Sequence, residues 1–274
     1  MYSLNCKGRL VSINEPVVMG ILNTTPDSFY AGSRVTTDNL LAKAEAMIND
    51  GAGILDIGGQ STRPGSTPVA ADEELKRVIP AIEAIHQRFP GQLISIDSYY
   101  AKVVREAVGA GASIVNDVSA GTIDAELLPT VAGLKVPYIL MHMKGDPQTM
   151  QKDPGYADVT LEVFDFLSFK IAELVQLGIH DIIIDPGFGF GKTSSHNFEL
   201  LKKLSYFKNL GKPVLVGLSR KATIYKTLGI TAEQALNGTT VMHTIALLNG
   251  ASILRVHDVK EAVEATRLFT VYSK

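Results

Sequence analysis

The sequence predicts an α/β fold, a single (β/α)8 TIM barrel preceded by a short β-hairpin. Eight short apolar runs each stop at a polar residue, and between them lie stretches with the three- and four-residue spacing of amphipathic helices. The chain has 274 residues, enough for eight such units of about thirty residues each. Strands that alternate with helices run parallel, so an open doubly wound sheet is the alternative architecture.

Each predicted strand is a run of apolar and often β-branched residues. Such runs are typical of strands that are buried on both faces of a parallel sheet. The runs, each with the polar residue that follows it, are 17–22 before Asn23, 54–55 before Asp56, 93–96 before Asp97, 114–115 before Asn116, 138–141 before His142, 182–184 before Asp185, 214–218 before Ser219 and 253–254 before Arg255.

The predicted helices differ in the clarity of their pattern. Residues 125–132 give the weakest one, because Pro129 interrupts it and proline disfavours a helix interior. The clearer patterns include residues 40–48, 73–86, 161–177 and 262–269.

The chain is predicted to form one domain over residues 1–274, with the hairpin in residues 1–14. Apolar and polar residues alternate on both sides of Lys7-Gly8, which is typical of two strands joined by a tight turn. No Pro/Ser-rich linker, charge block or low-complexity tract divides the remainder.

Composition favours small-molecule partners. The net charge is −2, and the 26 basic residues are scattered rather than gathered into the basic stripe of a nucleic-acid binder. Residues 1–6 lack the features of a signal peptide, and no apolar run is long enough to span a membrane, so we expect no membrane association. The single Cys6 excludes an internal disulfide and suggests a reducing cytoplasm.

In a closed barrel, the polar residues that end the strands meet on one rim. This carboxy-terminal face carries the active sites of such barrels. A lone Asp or Asn after a strand is more often a turn residue, but a whole set that ends alike points to a binding bowl. The expected lining residues are Asn23, Asp56, Asp97, Asn116, His142, Asp185, Ser219, Lys221, Arg255 and His257.

The side chains in this bowl predict a ligand with both a donor-rich edge and an anionic group. Asp97, Asn116 and Asp185 offer acceptors that suit an aminopyrimidine-like edge. We expect ligand donors or Lys221 to satisfy the buried carboxylates. Arg255 suits an anion or a stacked ring.

Two loops rich in Gly, Pro, Ser and Thr follow the first two barrel strands, over residues 23–33 and 58–66. Each is predicted to cover the bowl as a lid, or else to be an ordinary surface loop. Arg63 would bring a second cation for a phosphate, and Phe29 an apolar wall.

The motifs of common metal cages and of serine nucleophiles do not occur in the sequence. A metal is therefore expected only as Mg²⁺ that Asn23 shares with a substrate phosphate. Lys221 could in principle form a Schiff base, although it lies two residues beyond the seventh barrel strand.

Eight motifs follow one another between residues 17 and 257. They are Met19-Gly20-Ile21-Leu22-Asn23, Thr25-Pro26-Asp27-Ser28-Phe29, Asp56-Ile57-Gly58-Gly59-Gln60-Ser61-Thr62-Arg63-Pro64-Gly65, Ser95-Ile96-Asp97, Asn116-Asp117, Asp185-Pro186-Gly187-Phe188-Gly189-Phe190-Gly191-Lys192, Ser219-Arg220-Lys221 and Arg255-Val256-His257. In this combination and order the chain resembles the dihydropteroate synthases of folate biosynthesis.

The resemblance implies a homodimeric, Mg²⁺-dependent transferase. Its reaction joins para-aminobenzoate to 6-hydroxymethyl-7,8-dihydropterin diphosphate and releases diphosphate and 7,8-dihydropteroate. The implied catalytic residues are Arg63, Lys221, Arg255 and His257. The implied binding residues are Asp97, Asn116, Asp185, Lys221 and Arg255 for the pterin, Arg63, Arg255 and His257 for diphosphate, Asn23 for Mg²⁺, Phe29, Thr62, Pro64, Phe190 and Lys221 for para-aminobenzoate, and Met141 and Gly217 for substrate more generally.

This reaction needs no protein nucleophile. Diphosphate bound to cations is a good leaving group, and an electron-rich pterin stabilises positive charge on the departing methylene, so the aromatic amine attacks a cation-like carbon. The family pattern is broken at Ala222, where many members have a serine that helps bind the carboxylate of para-aminobenzoate. We therefore hypothesise that this chain binds para-aminobenzoate and sulfonamides differently from the serine-bearing members.

Three other functions are compatible with parts of the same pattern. A pterin-binding methyltransferase acting with a corrinoid protein would share Asp97, Asn116 and Asp185, but has no evident use for Arg63 and His257. A Schiff-base aldolase would use Lys221, and a borohydride-trapped adduct would reveal it. A non-catalytic pterin-binding module would show no turnover with all substrates present.

Overall fold

The chain begins with an antiparallel hairpin of β1 (Tyr2–Cys6) and β2 (Arg9–Ile13). The structure is a computed structural model and describes residues 2–24, 34–60, 68–145, 150 and 154–274, with the backbone alone described for residues 34–37. The turn contains Lys7 and Gly8 at positive φ, which is typical of tight hairpins. The predicted N-terminal hairpin is therefore present.

Eight parallel strands follow and form one barrel. In the described residues their order around the sheet is β8-β7-β6-β5-β4-β3-β10-β9, and a parallel bridge between Ile184 and Val214 joins the two ends. The predicted (β/α)8 architecture is confirmed. The strands are β3 (Val17–Asn23), β4 (Ile54–Gly58), β5 (Leu93–Asp97), β6 (Ile114–Asp117), β7 (Tyr138–Met141), β8 (Ile182–Asp185), β9 (Leu215–Val216) and β10 (Ile253–Val256).

Helices surround the barrel. Pro129 is the third residue of its helix, in the first turn, where a missing N–H leaves no helical hydrogen bond unmade, so the weak pattern there still forms a helix. No described helix is both long and apolar enough to span a membrane. The helices are α1 (Arg34–Asn49), α2 (Ala71–Arg88), α3 (Ala101–Ala110), α4 (Leu127–Leu134), α5 (Val159–Gln176), α6 (Ser194–Lys202), a 3-10 helix (Leu204–Leu210), α7 (Ala222–Leu228), α8 (Leu236–Leu248) and α9 (Val259–Tyr272).

The hydrophobic core has two layers. A large outer layer packs the helices onto the strands. A smaller inner layer fills the amino-terminal end of the barrel, and the hairpin completes it by inserting Leu4, Cys6 and Ile13 against Met19 and Ile54. The hairpin therefore closes the bottom of the barrel, and the open rim is at the carboxyl ends of the strands.

Several polar residues lie deeper than the sequence predicts. Asp56, Asn116 and Arg255 are inside β4, β6 and β10 rather than after them, because parallel pairing continues past each apolar run. Asp56 has no exposed surface as a result. These side chains are part of the barrel interior, where each buried charge needs a partner.

Glu74 of α2 is also buried. It links Gln60, which follows β4, to Ser98, which follows β5. Its Oε2 accepts hydrogen bonds from Ser98 Oγ at 3.0 Å and from Gln60 Nε2 at 3.3 Å. Tyr99 extends the network, since its hydroxyl donates to Gln60 Oε1 at 2.8 Å. Burial raises the pKa of Glu74 to about 8, and the nearby Asp97 adds to that shift.

We expect the stability of this fold to decrease as pH rises toward 8. The folded protein holds a proton on Glu74 that the unfolded chain loses at about pH 4.5, so raising the pH favours unfolding. Between pH 6 and 8 this linkage amounts to about 2 kcal/mol, or roughly 4 °C in Tm. Replacing Glu74 with Gln should remove that part of the decrease in Tm.

Thermal melts of both proteins across this pH range test the expectation. Glu73→Gln, on the exposed side of the same helix, is the matched control and should keep the wild-type pH dependence. If Glu74→Gln loses stability with pH as steeply as the wild type, Glu74 is not the titrating group.

Candidate active site

A network of ion pairs lies at the centre of the rim, where the strands open into the bowl. Arg255 Nε contacts Asp56 Oδ2 at 2.6 Å, and Arg255 Nη2 contacts Asp97 Oδ2 at 2.6 Å. The side chain of Arg255 is 19% exposed, whereas those of Asp56 and Asp97 are 0% and 8% exposed. The guanidinium therefore bridges two buried carboxylates, while part of the Arg255 side chain remains exposed.

Asn116 and Asp185 have partners that the sequence did not predict. Asn116 Nδ2 donates to Asp56 Oδ2 at 3.1 Å. Asp185 Oδ1 accepts from the backbone N–H of Gly187 at 2.7 Å. Arg255 is a partner of Asp97 that the sequence did not predict, in addition to the ligand donors or Lys221 expected there.

Lys221 lies beside the loop that follows β8. Its Nζ donates to the carbonyl of Phe188 and lies 4.7 Å from the centre of the Phe190 ring. A Cβ on Gly217 would lie 3.7 Å from Nζ, an ordinary van der Waals distance, so Gly217 is a direct neighbour of the ammonium. Burial lowers the pKa of Lys221 to about 8, and the Asp185 carboxylate opposes that shift.

An apolar wall stands beside these charged groups. Tyr99, Val118 and Met141 form a buried cluster against which Met143 and Phe190 pack. Met141 and Phe190, both predicted to bind substrate, are therefore together. A flat ring could lie on this wall with its polar edge toward the carboxylates.

Backbone geometry after β9 is fixed by a second ion pair. Arg220 has a left-handed φ of 53°, and its guanidinium binds both oxygens of Asp258 at 2.8 and 2.9 Å. Ser219 Oγ accepts from the backbone N–H of His257 at 3.2 Å and lies 3.0 Å from its Nδ1. These contacts tie the segment that carries Lys221 to the one that carries His257.

Asn23 is exposed at the end of β3. It lines an open cavity of about 550 Å³ together with His257, two lysines and three acidic residues, namely Lys43, Lys260, Asp50, Asp258 and Glu261. A Cβ on Gly58 would lie 3.5 Å from Asn23 Oδ1 and 3.7 Å from Asp97 Oδ2, so the glycine leaves the space between these oxygens open. No cluster of three or more His, Cys, Asp or Glu that could hold a metal occurs among the residues described.

Part of the predicted site lies outside the described residues. This applies to Phe29 and most of the first predicted lid, and to Thr62, Arg63 and Pro64 in the second. Ala222 is described and is the first residue of α7.

The sequence did not assign a role to two residues that the structure makes central. Asp56 was included only as a rim residue, yet it contacts both Arg255 and Asn116. Lys192 is 2% exposed and lies under the loop after β8. The sequence held one sign of this burial, which is the position of Lys192 directly after the alternating glycines. A lysine beside a tightly packed glycine loop has few routes to solvent.

Comparisons with known proteins agree with this geometry. The family described as pterin binding enzyme matches residues 19–257. The dihydropteroate synthase of Escherichia coli K12 is 45% identical over 97% of this chain and 94% of its own length.

Two solved structures are similar over nearly their whole length. The Xanthomonas albilineans dihydropteroate synthase with 4-aminobenzoic acid has a TM-score of 0.91 at 42% identity, covering 99% of this chain and 98% of that one. The complex of the same enzyme with 7,8-dihydropteroate has a TM-score of 0.89 at 39% identity, covering 99% of each chain. The chain therefore belongs to the pterin-binding enzyme family, among its dihydropteroate synthases.

Proposed function

We propose that this chain condenses para-aminobenzoate with 6-hydroxymethyl-7,8-dihydropterin diphosphate to give 7,8-dihydropteroate and diphosphate. Its main support is the gathering of Asp97, Asn116 and Asp185 beside Arg255 and Lys221 at one rim. A donor-rich ring, an anion and an apolar ring would each find complementary groups there. Full-length similarity to dihydropteroate synthases supports the same reaction.

In this proposal the pterin lies over the ion network. Asp97 and Asp185 accept hydrogen bonds from its amino and ring N–H groups, and the Asn116 amide supplies a donor and an acceptor. Lys221 donates to a ring acceptor. Arg255, already held in one orientation by two carboxylates, offers its face for stacking on the ring.

The diphosphate would lie toward Asn23 and His257, which line one cavity. His257, Arg255 and Arg63 would bind its oxygens, and Asn23 would provide the protein ligand to Mg²⁺. An amide oxygen beside open space suits a cation that keeps most of its waters and takes its other ligands from phosphate. When bound, Mg²⁺ would neutralise charge on the leaving diphosphate.

The residues of this chain would then act by position and charge. Cationic side chains stabilise the leaving diphosphate, while the carboxylates beside the pterin favour the positive charge that develops on its ring and methylene. The bond from methylene carbon to diphosphate oxygen breaks, and the aromatic amine forms the new carbon–nitrogen bond and loses a proton.

The para-aminobenzoate ring would pack against Phe190 and the aliphatic part of Lys221, with Met141 and Gly217 shaping the adjoining pterin pocket. Phe29, Thr62 and Pro64 are proposed to complete this pocket from the two loops. Ala222, at the start of α7, lacks the hydroxyl that serine would place there, so the carboxylate would depend on other donors.

Diphosphate release from purified protein tests the reaction directly. The dihydropterin diphosphate and Mg²⁺ are supplied with and without para-aminobenzoate. Release that depends on para-aminobenzoate, with one dihydropteroate formed for each diphosphate, supports the proposed reaction. Tight pterin binding without release would instead favour the methyltransferase or a binding module.

Replacing either Arg255 or Asp185 should abolish most of the activity. Arg255→Ala leaves Asp56 and Asp97 buried without their cation, and Asp185→Asn removes a charge that faces the pterin. We expect kcat/KM to decrease at least about 100-fold in each, a loss of roughly 3 kcal/mol. Arg105→Ala, at an exposed site on α3, is the control. Near-normal rates in the first two variants would contradict the proposed site.

The role proposed for Asn23 predicts a change in metal dependence. Asn23→Ala should raise the Mg²⁺ concentration for half-maximal activity by about tenfold, because the protein ligand is lost. Asn23→Asp keeps an oxygen ligand and should not raise it. Mg²⁺ titrations at saturating substrates measure both, and an unchanged requirement in the alanine variant would exclude Asn23 as the ligand.

A homodimer is proposed through α8 and α9. Their outer faces expose Val241, Leu248, Leu268 and Val271, which are between 52% and 74% exposed. Leu248 and Leu268 also line a groove of about 420 Å³. An apolar patch of this kind is typical of a protein interface.

Sedimentation equilibrium tests this interface with two matched variants. Leu268→Glu should shift the dimer to monomer, whereas Leu10→Glu, on the hairpin and 71% exposed, should not. A wild-type monomer, or a dimer that tolerates Leu268→Glu, would contradict the proposal.

We also propose that the enzyme acts in the cytoplasm. Cys6, the single cysteine of the chain, is a free thiol in the inner core. A free thiol of this kind supports a reducing compartment.

A further inference from the structure

Lys192 is a buried lysine that the proposed reaction does not use. It follows the loop of residues 186–191 and is 2% exposed, although a lysine is almost never buried without partners. Burial lowers its pKa to about 7, while Asp185 opposes the shift. A group so deeply buried cannot contact a substrate, so its role must be exerted through its neighbours.

Four acceptors surround the ammonium. Lys192 Nζ lies 3.0 Å from the carbonyl oxygens of Gly187 and Phe190, 2.9 Å from His142 Nδ1 and 3.4 Å from the His142 carbonyl. Three protons are thus shared among four acceptors, and two of these are carbonyls of the loop itself. The loop is wrapped around the side chain that follows it.

His142 is in a protonation state that allows it to accept a hydrogen bond from the ammonium of Lys192. Burial lowers the pKa of His142, and the charge of Lys192 lowers it further, so the imidazole is neutral. Nδ1 then accepts from Lys192. The ring is also fixed by packing edge-on against Phe166, with 4.9 Å between the ring centres.

Both ends of the loop pack closely against their neighbours. Gly187 has a φ of +73°, and a Cβ there would clash with the carbonyl oxygen of His142. Tyr156 holds the far end, since its hydroxyl donates to the carbonyl of Gly191 at 2.8 Å. Two contacts hold the residues between these ends: Asn197 Oδ1 accepts from the N–H of Gly189 at 2.9 Å, and Lys192 donates to the carbonyl of Phe190 at 3.0 Å.

The middle of the loop carries the groups proposed to bind para-aminobenzoate. The ring of Phe190 lies 4.7 Å from Lys221 Nζ, and the carbonyl of Phe188 accepts a hydrogen bond from the same ammonium. Releasing the carbonyls of Gly187 and Phe190 would therefore move the aromatic ring, whereas the hydrogen bond from Lys221 to Phe188 involves neither of these carbonyls.

We propose that Lys192 is a positioning residue that orients Phe190 for the aromatic amine substrate by binding the carbonyls of its own loop. This inference rests on the proposed function, because it assigns the wall formed by Phe190 to para-aminobenzoate. Asp185 accepts from the N–H of Gly187, whereas Lys192 binds the carbonyl of that residue, so the pterin side of the pocket has no hydrogen bond to the ammonium itself.

The test replaces the ammonium with an uncharged chain of similar length. Lys192→Met should raise the KM for para-aminobenzoate at least about tenfold, while kcat and the KM for the dihydropterin diphosphate change by less than about threefold. Lys202→Met, at the exposed end of α6, is the matched control and should leave all three parameters unchanged. Thermal melts of each variant show whether the fold is retained.

The possible outcomes separate this inference from the proposed function. A wild-type protein without para-aminobenzoate-dependent turnover would remove the proposed function itself. An active wild type, together with a folded Lys192→Met whose KM for para-aminobenzoate is unchanged, would overturn the positioning role alone. Equal increases in both KM values would also overturn it, because they indicate a general disturbance.

A second variant covers the case in which Lys192→Met does not fold. Lys192→Arg keeps the charge, but its planar guanidinium is too wide to take the place of the ammonium among four acceptors. We expect a smaller but still selective increase in the KM for para-aminobenzoate, about threefold or more. A folded arginine variant with wild-type KM values would overturn the inference.

Discussion

The contact of Arg255 with Asp56 and Asp97 is the constraint on which the rim depends. Neither carboxylate could remain charged inside a barrel without a cation, and removing one partner from such a network typically costs about 3–5 kcal/mol. The three residues come from β10, β4 and β5, so their pairing requires these strands in the register observed. Binding groups and barrel closure therefore depend on each other.

Around this network, each substrate-facing side chain is held by a neighbour that does not face the substrate. Arg220 and Asp258 fix the segment of Lys221, and Lys192 fixes the loop that carries Phe190. Such support is what a site needs when catalysis depends on position and charge rather than on a nucleophile. The glycines after β8 serve the same purpose, because they allow carbonyl groups to approach a buried ammonium.

The sequence predicted which strands form the barrel but placed some of their ends too early. Asp56 and Arg255 were expected just after their strands, and both lie within them. A polar residue ends an apolar run in the sequence, yet it does not end backbone pairing when a neighbouring strand offers a partner for its charge. The contact between Asp97 and Arg255 was not predicted either, because their separation along the chain gives no sign of it.

The sequence by itself determined the architecture, the rim that carries the site and the residue types that converge there. Strand and helix periods are local properties, and the order of the motifs identifies the family. The architecture and the family can therefore be recognised without coordinates. Only the tertiary structure decided which carboxylate holds which cation, and that Lys192 is enclosed by its own loop. These choices depend on distances between residues far apart in the chain and on burial, which no local pattern encodes.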